Sequence, residues 1–383
     1  MKIKKVDLVD FIFIFLCFVS CIEPVYITNI VFFNVIFAVM KIVAIIILLL
    51  KKQMKLNFND FAVVLFILVA ILSNLSNGFS IILTIGRYIS WILITFLIDV
   101  YMKNKSKKFI KYSSIIFSGL IIINFFSILN NPVNYFDNIT RTHFLGFDND
   151  NVPVLLLGIY FNILDLIVYN KKSFLCIISI ITTIISLILV WSANGIIGLI
   201  MIVFYIIFLD KNDKRFNRVL NLKNYFIVAI IFFVLIVLFR IQDNFTWFIE
   251  DVLHRDLTFT GRIYIWDDAL KNINNNKLLG VGIYDFSSRL LETGVYHAHC
   301  TFLNVIFENG ILGSIAYFMI HILAIKSSYK FKNNRLIYLT AYFIFIFLII
   351  TLSEFYVKDI MFITLIGMNY NLSKLIKEGD EIG

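Results

Sequence analysis

Charge is scarce in this 383-residue chain: Asp, Glu, Lys and Arg together make up 15% of it, against 60% hydrophobic residues and a mean hydropathy of +0.89. A soluble globular domain carries about a quarter charged residues, so that class is excluded. Cysteine is almost missing as a structural device. Of the four, Cys17 and Cys21 sit one turn apart in an apolar stretch, Cys176 lies in another, and Cys300 stands alone, which gives neither a disulfide framework nor a Cys/His metal spacing. Internal repeats and low-complexity linkers are absent as well. The first apolar run, DLVDFIFIFLCFVSCIEP, follows three lysines but lacks the small-residue cleavage site of a signal peptide, so it reads as a retained helix.

Apolar runs are what the chain has in plenty. Stretches near the length needed to cross a hydrocarbon core lie at 7–23, 28–50, 60–76, 79–101, 112–130, 152–169, 174–191, 195–209, 225–240, 299–325, 336–352 and 359–376. The expected architecture is an all-α polytopic membrane protein of about twelve transmembrane helices. Residues 1–240 carry helices one to nine, 241–298 form a long extracytoplasmic loop with an amphipathic helix, and 299–383 carry helices ten to twelve and a cytoplasmic tail.

With the N-terminus in the cytoplasm, 24 of the 34 basic residues fall in inside segments and 8 outside, the pattern of the positive-inside rule. Both termini are then cytoplasmic, and the net charge of +9 reads as topology. Nucleic acid is not an expected partner, because that would need a soluble basic face with interleaved aromatics.

Two outside segments are long, 131–151 and 241–298, and they hold most of the unusual residues. In the second, TGRIYIWDDALKNI places Ile263, Trp266, Leu270 and Ile273 at helical spacing, an amphipathic helix suited to the membrane surface. NNNKLLGVGIYDF follows as a turn leading into an irregular stretch. Its GVG, with no strand before it and no helix after it, is a turn and not a nucleotide cradle.

Arg141, Arg255, Arg262 and Arg289 face away from the cytoplasm in a chain that otherwise keeps its basic residues inside. Arginine offers a fixed fork of donors that matches phosphate oxygens and never loses its charge, so such a cluster suits a diphosphate-linked lipid. The main charges within the membrane stretches are Lys41, Arg87 and Asp165; Arg87 either snorkels, pairs, or reaches the lipid diphosphate from within.

VYHAHCTFLNVIFENGILG, residues 295–313, places His297, His299 and Glu308 where the chain re-enters the bilayer. On a helix beginning here, the two imidazoles would point about 200° apart. Glu308, buried deeper, must be paired or protonated. A metal site is not expected, because His-x-His with a distant Glu lacks a third ligand at a recognised spacing.

Arg262 and Trp266 after Gly261, then GVG, then His299, Leu303, Glu308, Gly310, Ile311 and Gly313 in H-x-x-x-L-x-x-x-x-E-x-G-I-x-G order resemble the signature of the O-antigen polymerase and ligase superfamily. Upstream, GFDNDN (146–151) is similar to that family's G-F-x-N-x-N segment, and WSANG (191–195) takes the place of its short Ser-x-x-Gly turn. The likeness runs over roughly 140–315. It departs at Cys300, where the family often has Asn, and at Ser192-Ala193-Asn194-Gly195, which lacks the arginine of the common Ser-Arg-Gly turn.

The resemblance implies a GT-C-like glycosyltransferase at the outer face of a bacterial cytoplasmic (inner) membrane, acting on an undecaprenyl-diphosphate-linked oligosaccharide in O-antigen or capsule synthesis. No cofactor is implied, since the energy is stored in the lipid-linked substrate. Arg262 and His299 are the catalytic candidates. Arg289, Arg141, Arg255, Arg87, Trp266, Glu308 and His297 are the substrate-binding ones. A flippase and a chain-length regulator are the expected protein partners, and membrane lipids the surroundings. Polymerase is the leading reading; an O-antigen ligase-type transferase and a polysaccharide flippase are the alternatives, the last lacking repeated halves with midplane charges.

The charge distribution predicts that a reporter active only after export, fused near Lys277, is active. Activity there from a cytoplasm-only reporter overturns the topology.

Overall fold

The computed structural model describes residues 5–131, 141–171, 173–209, 220–241, 262–283, 297–357 and 359–377. Among them the elements are helical, with one isolated bridge between Thr142 and Phe147. Chain order gives α1 (Lys5–Ile22), the single turn α2 (Val25–Thr28), α3 (Val31–Lys51), α4 (Phe58–Ser76), α5 (Ile81–Asn130), α6 (Asn151–Tyr169) and α7 (Phe174–Val190). Then follow α8 (Ala193–Phe204) and α9 (Leu222–Phe233), each prolonged by a π-helical turn, α10 (Arg262–Asn275), α11 (Thr301–Ser328), α12 (Arg335–Ile350) and α13 (Ile360–Lys377). Helix therefore occupies every one of the apolar stretches read from the sequence. By length and composition α3, α4, α5, α6 and α11 can cross a membrane, and shorter apolar helices stand beside them. The chain is an all-helical, multi-pass membrane protein.

Polar side chains are turned inward and apolar ones outward, as a hydrocarbon solvent requires. On α3, Phe32, Val35, Val39, Ile42, Ile46 and Leu50 are exposed. Inside, Asn162 of α6 accepts from Ser114 (2.7 Å) and Ser118 (3.0 Å) of α5 and donates to Ser179 of α7 (3.0 Å), a polar clasp between three helices. The membrane charges are paired: Lys41 with Glu23, Asp165 with Lys111, and Arg87 with Glu308.

Residues 102–111, read as a cytoplasmic turn, hold the break between the two spans: Ile81–Asn130 is two helices joined across a kink at Lys105 (φ −146°, ψ 41°), and the rings of Tyr101 and Phe109 on either side of it lie 6.1 Å apart. This stretch is held to α1 by Lys105–Asp10 and Lys108–Asp7 pairs. The amphipathic helix, α10, turns its apolar face to the bundle and not to a membrane surface: Trp266 and Ala269 are buried, and the Trp266 indole donates to Ala298 O (3.0 Å).

α11 is broken at Gly310 (φ +62°, ψ −163°). A break at membrane depth strips backbone groups of their partners, and these must be satisfied from within the protein. Residues 277–283 do this: Val281 N donates to Phe307 O and Gly282 N to Glu308 O, while Ile311 N donates to Lys277 O, all at 2.9 Å. From α4, Ser73 Oγ donates to Glu308 O (2.7 Å) and Asn74 Nδ2 to Ile283 O (3.2 Å). GVG is thus a turn, as read, whose glycines let two backbones touch. A Cβ on Gly310 would lie 2.3 Å from Leu278 O, and one on Gly280 2.6 Å from the backbone of Glu308.

Gly310→Ala combines that clash with a left-handed backbone and is expected to cost about 3 kcal/mol or more. Gly119→Ala, with nothing within 4 Å of the added carbon, is the control and should leave stability unchanged or slightly higher. Melting temperatures of the two variants in detergent compare them directly; equal values would remove the constraint assigned to Gly310.

Candidate active site

The connection between α12 and α13 is short, and its Glu354 side chain is only 9% exposed. Four donors from four directions meet on that carboxylate. Oε1 accepts from His299 Nδ1 (2.9 Å) and from the backbone N of Phe355 (3.2 Å). Oε2 accepts from Arg262 Nη2 (3.2 Å), at the start of α10, and from Asn149 Nδ2 (3.1 Å), just before α6. Burial pushes the carboxyl pKa up, but the His299 hydrogen bond and charge, with Arg262, outweigh it and hold the carboxyl below its usual range. Ionised Glu354 can only accept. His299 Nδ1 therefore carries the proton, and in the neutral imidazole Nε2 keeps its lone pair.

Further hydrogen bonds fix these groups. Ser192, the N-cap of α8, donates to Asn149 Oδ1 (2.8 Å), and Ser353 donates to Asn194 Oδ1 (2.9 Å). GFDNDN and WSANG, far apart in the chain, thus converge on one carboxylate. In this turn, which lacks the arginine that the resemblance led to expect, Asn194 braces the residue next to Glu354.

His299 adopts a left-handed conformation (φ +44°), and the corner 297–300 precedes the helix. The expected 200° separation of the two imidazoles fails for that reason: α11 starts at Thr301, and the rings of His297 and His299 lie 4.0 Å apart. His299 N donates to His297 Nδ1 (3.3 Å), so that nitrogen is unprotonated. Burial, then the neighbouring His299, lower the His297 pKa to about 4, which keeps the ring neutral at pH 7. Asn304 secures the corner by accepting from Ala298 N (3.0 Å), and Trp266 by donating to Ala298 O.

Glu308 is paired, as its burial demanded. Arg87 Nη1 lies 2.8 and 2.7 Å from its two oxygens, with both side chains almost fully buried. The Arg87 guanidinium also faces the Phe355 ring at 5.7 Å, so this pair underlies the Glu354 loop. Arg141 donates to Asn131 at the end of α5 (3.1 Å). Arg255, Arg289 and Gly261 lie outside the described residues.

His297, His299 and Glu354 also bring three metal-ligand atoms within 4.8 Å of one another. The third member, which no sequence spacing offered, arrives from the α12–α13 connection. Its charge is already answered by Arg262, and a fixed cation beside a carboxylate works against a divalent ion there. The set fits a proton-handling site better than a metal centre.

Sequence reading missed Glu354 and Asn149. Asn149 lay inside a quoted motif without a role, and Glu354 was one acid in a short connection, 55 residues from His299 and 92 from Arg262.

These features define a multi-pass helical membrane protein with an Arg–Glu–His site at one end of its bundle. Residues 177–318 match the family model described as O-antigen ligase, which supports a likeness to the O-antigen polymerase and ligase superfamily and, at a coarse level, a glycan-transferring activity. No curated protein matches the chain. The matched segment holds Ser192, Asn194, Arg262, His299 and Glu308. Asn149 and Glu354, on either side of it, are joined to it by folding alone.

Glu354→Gln keeps the side chain's shape but removes the charge that holds His299 Nδ1 and Arg262. Glycan transfer is expected to fall about a hundredfold or more, the scale of general-base catalysis, with normal amounts of protein in the membrane. Transfer within a few-fold of wild type, measured on matched membranes, would reduce Glu354 to a packing residue.

Proposed function

We propose that the chain is a polysaccharide polymerase of the bacterial cytoplasmic membrane, crossing it about twelve times in a GT-C-like arrangement with both termini inside. It transfers a growing glycan from undecaprenyl diphosphate onto a lipid-linked repeat unit at the outer face. The observation that carries this reading is the single carboxylate that positions a basic imidazole and a guanidinium side by side. In the reaction, an acceptor sugar hydroxyl attacks the anomeric carbon of the donor glycan. His299 Nε2 takes the hydroxyl proton as the new C–O bond forms. The bond to the lipid diphosphate breaks, and its electron pair leaves with the diphosphate. Arg262 is 20% exposed and keeps donors beyond the one given to Glu354, so it can meet the growing negative charge. No nucleotide or metal has a part in these steps.

Arg289, Arg141 and Arg255 are the further candidates for the diphosphate. Arg87 acts through its pair with Glu308, as a support beneath the site. A flippase that delivers the repeat unit and a chain-length regulator are the matching protein partners. A ligase reading is favoured by the O-antigen ligase family that residues 177–318 match, and it places the same chemistry on a different acceptor. A transporter reading lacks support, because Lys41, Arg87 and Asp165 are each paired within the bundle.

A deletion strain separates these readings: it is expected to accumulate single repeat units on the lipid, whereas loss of a ligase would leave full-length lipid-linked polymer. On a glycan gel read beside a membrane immunoblot, complementation with His299→Ala should give no ladder. Arg262→Lys should stay strongly impaired, because lysine lacks the fork. His297→Ala, which removes the acceptor of His299 N and the ring beside His299, should give a shortened or weakened ladder. An intact ladder from His299→Ala would sink the catalytic assignment.

A further inference from the structure

At the end of the bundle away from Glu354 lies a cavity of about 450 Å³, where α3 ends, α4 begins and α5 nears its kink. Asn57, the N-cap of α4, and Asn74, whose amide meets Ile283, are separated by about 25 Å of helix at 1.5 Å per residue. Lys51, Lys52, Lys55, Lys103 and Lys374 line the cavity, and Asp99 is the one acid among its described lining residues. The positive-inside rule asks for basic residues at one end of a bundle and not for their convergence. Here they come from three separate stretches of chain and face one space.

Two of the five are already answered. Lys52 lies between Asp60 (2.5 Å) and Asp99 (2.7 Å), and Asp60 closes a capping box with Asn57, so this part of the wall is fixed. Lys51 stands over the rings of Phe13 and Tyr101, 4.9 and 5.4 Å from their centroids. Lys55, Lys103 and Lys374 have no carboxylate partner among the described residues. Like charges around one cavity repel until an anion joins them.

Deeper along the same three helices runs an apolar groove of about 380 Å³, with Ile46, Val64, Leu68, Ile89 and Ile92 among its walls. On α5, Ile89, Ile92, Phe96, Asp99 and Lys103 follow at three- and four-residue steps, so groove and cavity share one face of that helix. Ile92 and Asp99 are about 10 Å apart along it. Phe96 marks the boundary, with Lys52 Nζ 4.7 Å from its ring centre. Leu50, Met54, Leu56 and Phe58, neighbours of the lysines in the chain, are all exposed. Apolar side chains beside a basic cavity suit the headgroup level of a bilayer better than a surface in water.

We infer that this wedge between α3, α4 and α5 binds one anionic phospholipid, with its phosphate headgroup among the lysines and an acyl chain in the groove. A free phosphate or an acidic peptide would use the lysines and leave the groove empty. The lipid is a part of the bundle and not a substrate, since it sits a helix length from the His299 site. Of the five long apolar helices α3 is the least buried, with 22% of its span covered by protein, and the lipid fills the space between it and α4. The inference needs only the membrane-spanning bundle and stands apart from the transferase reading.

The test uses the full chain in a neutral detergent and reads binding by native mass spectrometry. The probes are phosphatidylglycerol, phosphatidylcholine, glycerol phosphate and a Glu-rich peptide. Phosphatidylglycerol should bind about a hundredfold tighter than phosphatidylcholine, from three free lysines at about fivefold each. Lys55→Gln combined with Lys103→Gln should weaken phosphatidylglycerol about thirtyfold on the same scale. Both lysines are exposed, so the melting temperature without lipid should stay at the wild-type value. Val64→Phe fills the groove and leaves the lysines in place; it should weaken phosphatidylglycerol about tenfold, the scale of two methylenes kept out of an apolar site. Equal binding of the two lipids, or phosphatidylglycerol binding unchanged by either the lysine pair or Val64→Phe, would overturn the lipid site. Glycerol phosphate or the peptide binding as tightly as phosphatidylglycerol would overturn it too, leaving a phosphate site or a docking place for an acidic segment.

Discussion

The backbone contact between residues 277–283 and the break in α11 is the constraint on which the rest of the structure depends. A helix interrupted in hydrocarbon must recover its hydrogen bonds from its own protein. Here the partner is the segment that leaves α10, so satisfying the break also fixes where α10 ends. The buried Trp266 then sets the rotation of that helix, and its indole reaches back to Ala298. Arg262 and the 297–300 corner are placed by a single accounting of backbone and indole hydrogen bonds. The glycines at 280 and 310 are required because both chains come closer than any Cβ allows.

Glu354 converts that placement into chemistry. An ionised carboxylate that is nine-tenths buried is costly unless it is fully bonded, and the structure meets the condition with donors from α10, the His299 corner, the start of α6 and its own backbone. Removing any one donor shifts charge onto the others, so the cluster behaves as a unit. The Arg87–Glu308 pair below it is the same solution one layer deeper. One guanidinium nitrogen shared between both carboxylate oxygens answers an acid buried at membrane depth.

Much of the fold was legible because a bilayer imposes a length and a polarity that composition alone reveals. Lys41, Arg87 and Asp165 stood out for the same reason, and each has its partner. His299, Arg262 and Glu308 were visible through ordered motifs. Glu354 was not, because its role depends on contacts across 55, 92 and 205 residues that no local pattern encodes. The histidines misled for a different reason: the helical periodicity applied to them ends before the helix begins, and a positive φ at His299 folds one ring onto the other. The turn between the two spans of Ile81–Asn130 was legible from its charge: the kink falls at Lys105, among lysines that pair with acids on α1.

The close approach of His297 to His299 has a consequence for turnover. Two imidazoles 4.0 Å apart repel when both are charged, and burial already keeps His297 neutral. The pair is therefore a one-proton store. In the proposed reaction each transfer loads it, and it must empty before another hydroxyl can be activated. His299, with a third of its side chain exposed, is the ring from which that proton can return to the medium. Proton release from that one ring would then stand between one transfer and the next.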